Sequence, residues 1–139
     1  MAYKGGKFEV LSGREEQMLE GLAIGVRGFV GSQFNFAGDL YNGILEGFDN
    51  GGITPKSAAS LHSMQLRGIE LIQAYSSSTP AGGYNGVKYF MNLAGVPVGD
   101  ARLPSLPLTD DGKAALHDAF EAFCAKEGAA TSMLMCRPE

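Results

Sequence analysis

Phe8-Glu9-Val10-Leu11-Ser12-Gly13-Arg14-Glu15-Glu16-Gln17 and Gly25-Val26-Arg27-Gly28-Phe29-Val30-Gly31-Ser32-Gln33-Phe34-Asn35 are the two stretches whose reading decides the fold. Phe8 to Leu11 reads as a short strand ending at Ser12-Gly13, and Gly28 to Ser32 reads as a second, glycine-flanked one. Between them Met18, Leu19, Leu22, Ala23 and Val26 form one apolar face at helical spacing. Strand, helix, strand in this order argues for parallel pairing through a helical crossover. A second amphipathic helix follows, with Ala37, Leu40, Tyr41, Ile44, Leu45 and Phe48 on one face and Asn50-Gly51-Gly52 as its stop.

Beyond residue 50 the pattern is helical. Thr54-Pro55 reads as a cap with proline at the first helical position, and Leu61, Met64, Gly68, Leu71 and Tyr75 recur by threes and fours behind it. Ser76 to Gly83 is a polar loop. Val87, Phe90, Met91 and Ala94 predict another helix, closed by Gly95, and an extended Pro-containing segment runs from Val96 to Leu108. The last helix starts at the Thr109 cap and carries Leu116, Phe120, Phe123 and Cys124 on one face. The tail after Gly128 is expected to fray. Two strands are too little sheet to stand without helical cover.

Composition bounds the function. The chain has 139 residues, 45% hydrophobic and 19% charged, with a net charge of −4. That fits one domain with a buried core and excludes a disordered tail. No apolar run approaches the ~20 residues needed to span a bilayer, and the acidic balance argues against nucleic acid as a partner. Cys124 and Cys136 have no second pair and no CxxC, which reads as neither a disulfide framework nor a zinc site. Cys124 is expected in the core. The opening Met-Ala-Tyr-Lys-Gly-Gly-Lys has no apolar stretch, so no signal peptide is predicted, and two free thiols then point to the cytoplasm. The 20 glycines are anomalous: about 14% of the chain, roughly twice ordinary usage. Glycine weakens helices, so this many require tight turns or close packing.

Polar groups gather where both strands end: Gly13-Arg14-Glu15-Glu16 after the first, Ser32, Gln33 and Asn35 after the second. In parallel α/β folds ligands bind at such ends, where strand termini and helix N-termini converge. A purely structural reading also accounts for the acids. Ser12-Gly13-Arg14-Glu15 matches a capping box, and Glu16 complements the helix dipole in the first turn. Gly25 to Gly31 has GxxGxxG spacing and precedes a strand, which argues against a phosphate cradle. His62 and His117 stand alone on predicted helices, so no metal site is expected. No Ser/His/Asp or Cys/His arrangement stands out.

The same two stretches resemble the N-acetylneuraminate lyase family, within the dihydrodipicolinate synthase superfamily of pyruvate-dependent aldolases. Its barrel has a GxDE turn after strand seven and a G-[AG]-[IV]-GSTYN strand eight. Lys88 to Pro104, ending Gly95-Val96-Pro97-Val98-Gly99-Asp100-Ala101-Arg102-Leu103-Pro104, resembles the family's helix with its IPMGPPRLP-like exit. The resemblance runs over roughly residues 5–125. It implies an α/β chain, mostly helical by residue count. Residues 1–50 would be the last two βα units (strands seven and eight) of a (β/α)8 TIM barrel, 51–128 a C-terminal helical extension and 129–139 a frayed tail. A complete barrel runs to ~250 residues, so the chain's length is about half of that.

The function implied is part of a Schiff-base aldolase cleaving N-acetylneuraminate to N-acetylmannosamine and pyruvate, without a cofactor. Gly13, Glu15 and Glu16 match the turn glycine and the acids that bind the sugar's hydroxyl-bearing tail. Ser32 matches the strand-eight serine, and Tyr84 matches an aromatic position that lines the site in some relatives. The first acid is usually Asp, so Glu15 is one methylene longer, and Gln33-Phe34 replaces Thr-Tyr. The Schiff-base lysine belongs to strand six, one βα unit before the first stretch, so no catalytic residue is assigned here. Partners implied are a sugar acid and pyruvate, with assembly as a homo-oligomer (tetramers in the family) or with an N-terminal barrel half. Two alternatives stand: a non-catalytic interaction or regulatory fragment, and a dihydrodipicolinate-synthase-like aldolase with another substrate.

Overall fold

Leu11 and Ser12 (β1) pair in parallel with Gly28 and Phe29 (β2), Leu11 opposite Gly28 and Ser12 opposite Phe29. The Val30 amide donates to the Ser12 carbonyl at 2.9 Å, extending the ladder by one bond. The computed structural model describes residues 3–76, 83–127 and 134–136. Among these, the sheet has two strands, and the rest is mostly helix. Both strands are shorter than expected, and β1 begins where the predicted one ends. With a single neighbour, each strand has one edge to pair, and Val10 and Leu11 stay more than half exposed.

The first crossover departs from the capping box. A 3-10 turn over Glu15–Gln17 precedes α1 (Met18–Ala23), and no side chain caps either. Ser12 Oγ accepts from the Arg14 amide at 3.4 Å, whereas Glu15 turns away from Ser12 toward β2. Gly25, at φ +91°, lets the chain reverse after α1, and the Val26 amide closes on the Gly21 carbonyl at 2.8 Å. Val26 is therefore buried in the turn and not on the helix.

Four longer helices complete the fold: α2 (Gly38–Asp49), α3 (Ala58–Ser76), α4 (Tyr84–Leu93) and α5 (Asp110–Glu127). Their starts and stops follow the local signals closely. Thr109 Oγ1 accepts from the Gly112 amide at 3.1 Å as an N-cap, and Gly95 ends α4 at φ +83°. Thr54-Pro55 forms a turn ahead of α3, with the Thr54 carbonyl accepting from Ala58 at 2.8 Å. α3 is the hub, packing on α1, α2, α4 and α5. The core centres on Ile44, Leu61, Leu71, Phe90 and Leu116. Phe90 meets Tyr75, Phe36 and Phe120 edge-on at centroid distances of 5.9, 6.3 and 5.2 Å.

Three of the helical glycines, Gly47, Gly68 and Gly86, have a steric cause. A Cβ on Gly47 would stand 2.8 Å from Leu61 Cδ2, and one on Gly68 would overlap the Tyr41 hydroxyl. α2 and α3 thus approach more closely than alanine permits. On α4, a Cβ at Gly86 would run into the Tyr75 carbonyl.

The expectation of two free thiols is corrected: Cys124 and Cys136 form a disulfide, with Cα atoms 5.1 Å apart. Leu134–Cys136 forms a 3-10 turn that returns to α5 and buries Met135 in the core. Of the tail expected to fray, this turn is packed. Residues 128–133 and 137–139, and positions 77–82 of the predicted loop, lie outside the described residues. No helix among the described residues is long and apolar enough to cross a membrane.

Candidate functional site

The carboxyl ends of β1 and β2 open into a cleft of about 310 Å³. All five residues singled out from the sequence line it: Gly13, Glu15, Glu16, Ser32 and Tyr84. The first three follow β1 directly, and Ser32 opens the 3-10 turn Ser32–Asn35 after β2. Ile72 and Tyr75 of α3, with Val87 of α4, form the opposite wall. Tyr84 stands at the mouth, 75% exposed.

The two acids are not equivalent. Glu15 is only 6% exposed. Its Oε1 accepts from Ser32 Oγ at 3.1 Å and from the Gln33 amide at 3.2 Å, so the carboxylate ties the end of β1 to the end of β2. Gly31 makes room for it, since a Cβ there would overlap the carboxylate. Glu16 lies nearer solvent and pairs with the Arg14 guanidinium at 3.1 Å. As an exposed pair it adds little stability. Of the two acids, Glu16 is the one free to exchange its partner for a ligand hydroxyl.

Behind the cleft lies a polar network that the sequence reading missed. Gln33 is fully buried; its Nε2 donates to the Gly68 carbonyl at 3.1 Å, and its Oε1 accepts from the Tyr41 hydroxyl. Gln65, also buried, donates to the Glu15 carbonyl at 2.9 Å and accepts from the Leu19 amide at 3.1 Å. Two glutamines therefore clamp the acid-bearing turn onto α3. Burial, then the nearby Glu15 charge, raises the Tyr41 pKa above its ordinary value. Burial also raises that of Tyr75, against the opposing pull of Ser32 beside its hydroxyl. The signal for Gln65 was legible: it falls four residues after Leu61 and three before Gly68, where the period places an apolar side chain. Tyr75 falls on the same apolar spacing, which accounts for its ring but not for its hydroxyl.

His62 and His117 are exposed, away from the cleft. Among the described residues no group of three or more His, Cys, Asp or Glu is arranged to hold a metal ion.

A polar cleft at the carboxyl ends of parallel strands, walled by helices, is the place where α/β folds hold small ligands. The chain belongs to the Dihydrodipicolinate synthetase family, which matches residues 1–123. It is 32% identical over 116 residues to 4-hydroxy-tetrahydrodipicolinate synthase of Oceanobacillus iheyensis, covering 84% of this chain and 37% of that protein. It is 31% identical over 100 residues to N-acetylneuraminate lyase of Danio rerio, covering 72% of this chain and 31% of that protein. Among solved structures it is similar to Proteus mirabilis N-acetylneuraminate lyase, with TM-score 0.75 at 31% identity over 88% of this chain and 39% of that one. The chain thus spans about a third of the length of these relatives.

Proposed function

We propose that the chain is the C-terminal portion of a Schiff-base, pyruvate-dependent aldolase of the N-acetylneuraminate lyase type. In this reading β1 and β2, with the helices after them, correspond to strands seven and eight of a (β/α)8 barrel, and α3 to α5 are the helical extension. The chain contributes the part of the site that binds the hydroxylated tail of the sugar acid. The first six βα units contribute the lysine that forms the Schiff base with pyruvate.

The observation that carries the reading is the shared cleft, in which Glu16, Ser32 and Tyr84 meet at two parallel strand ends with Glu15 buried behind them. Glu16 accepts hydrogen bonds from tail hydroxyls, and buried groups that demand such partners discriminate strongly against ligands lacking them. Gly13 lines the cleft beside Glu16. Glu15, already occupied by Ser32 and Gln33, orients Ser32 and sets the shape of the floor.

The test is reconstitution. The chain is mixed with the first six βα units of Proteus mirabilis N-acetylneuraminate lyase, and pyruvate release from N-acetylneuraminate is followed. Activity that falls about tenfold or more in Glu16→Ala supports the reading. Activity indifferent to Glu16→Ala removes the tail assignment, and no pyruvate release from any sugar acid removes the sugar-acid assignment. A second reading keeps the chemistry and changes the aldehyde to aspartate semialdehyde. The 32% identity to 4-hydroxy-tetrahydrodipicolinate synthase favours it, and condensation of pyruvate with that aldehyde by the same mixture would establish it.

A further inference from the structure

Resting on the tail-binding reading above, we infer that Tyr75 is a specificity-determining residue whose hydroxyl donates a hydrogen bond to the ligand's hydroxylated tail. A tail hydroxyl both donates and accepts, so a site that satisfies it must offer both kinds of group. The acids offer acceptors only. Ser32 commits its proton to Glu15 Oε1 at 3.1 Å, so toward the cleft it presents lone pairs. Arg14 has donors, but it is held by Glu16 and its side chain is 72% exposed. Tyr84 is a mouth residue, as open to water as Arg14, and Ser76, whose hydroxyl also lines the cleft, is only partly buried at the very end of α3. Tyr75 alone among the cleft-lining tyrosines is buried, with its hydroxyl beside Ser32 and Gln33.

The ring is fixed independently of the hydroxyl. It packs edge-on against Phe36 at 6.4 Å and Phe90 at 5.9 Å, and Gly86 gives its backbone room. A donor locked by its own ring reaches a ligand with little ordering cost. Burial and the two nearby carboxylates keep the phenol protonated at neutral pH, so it remains a donor.

The experiment uses the 139-residue chain with two probes, N-acetylneuraminate and an analogue lacking the last two tail carbons, their binding measured by calorimetry or NMR titration. Tyr75→Phe keeps the ring, so its packing survives. Its affinity for the intact sugar is expected to fall roughly three- to tenfold, the range for loss of one neutral hydrogen bond, while affinity for the shortened analogue stays put. Tyr41→Phe is the control: it lies in the same network but does not line the cleft, so it should alter stability and leave both affinities unchanged. Equal affinities for Tyr75→Phe and wild type overturn the Tyr75 inference and leave the tail-binding reading standing. Equal losses for both probes also overturn it, because that pattern reports a general distortion. Wild-type chain that binds neither probe overturns both.

Discussion

Gly31→Ala isolates the contact that joins the two strand ends. Gly31 has φ −155° and ψ 155°, an extended conformation that alanine adopts freely, so the substitution carries no backbone strain. Its cost is steric, because the new Cβ would overlap the Glu15 carboxylate. The carboxylate must swing away and release two hydrogen bonds, from Ser32 Oγ and the Gln33 amide. Hydrogen bonds to a charged group contribute about 1.5–3 kcal/mol each, and an orphaned buried donor costs about 1–3 kcal/mol. Ser32 can turn to cleft water while the Gln33 amide cannot, so we expect a loss of about 2–4 kcal/mol. That is a large share of an ordinary folding stability of roughly 5–15 kcal/mol. In urea unfolding followed by circular dichroism, the midpoint should drop by roughly 1–3 M. Glu15→Asp withdraws the carboxylate by one methylene, so the double variant should be at least about 1 kcal/mol more stable than additivity predicts. A Gly31→Ala chain within about 0.5 kcal/mol of wild type, or additive effects in the double variant, would refute the reasoning.

Other expectations follow from the same geometry. Gln65→Leu strips partners from the buried Leu19 amide and Glu15 carbonyl, and should cost about 2–4 kcal/mol in the same unfolding assay. Tyr41 and Tyr75 hold their protons more tightly when folded than the ordinary pKa of 10.0. Their contribution is therefore intact below about pH 10 and lost above it, where the unfolded chain ionises first. Each should steepen the alkaline loss by up to about 1.4 kcal/mol per pH unit, and Tyr41→Phe/Tyr75→Phe should flatten that limb. Reducing Cys124–Cys136 opens a loop with a sequence separation of 12, which the chain-entropy account values at about 3 kcal/mol. A melting temperature unmoved by dithiothreitol, with both thiols titrated as free, would refute that value.

Local signals carried much of this fold because they act over one helical turn. The Thr109 cap, the Gly95 stop and the apolar spacing of Leu61, Leu71, Leu116 and Phe120 all reappear where the sequence placed them. Four of the five cleft-lining residues, Gly13, Glu15, Glu16 and Ser32, stood out for a related reason: strand ends are where chain direction changes, and polar residues cluster there, whereas Tyr84, at the start of α4, came only from the family resemblance. What the sequence left open was decided across distance. Glu15 satisfies a capping-box pattern, yet its carboxylate goes to Ser32 and Gln33 because β2 brings two donors within 3.2 Å. Cys124 and Cys136 pair because the 134–136 turn comes back onto α5. Gly47 and Gly68 are required by how closely α2 meets α3. The fate of Gln33, Gln65 and the Tyr75 hydroxyl rests on the same helix, α3, since a buried polar group must find its partner wherever packing places one. The sequence by itself determined the elements, their order and the residues gathered at the strand ends. Tertiary structure alone decided which of those residues open onto the cleft and which tie its floor together, because that depends on what β2 and α3 bring beside them.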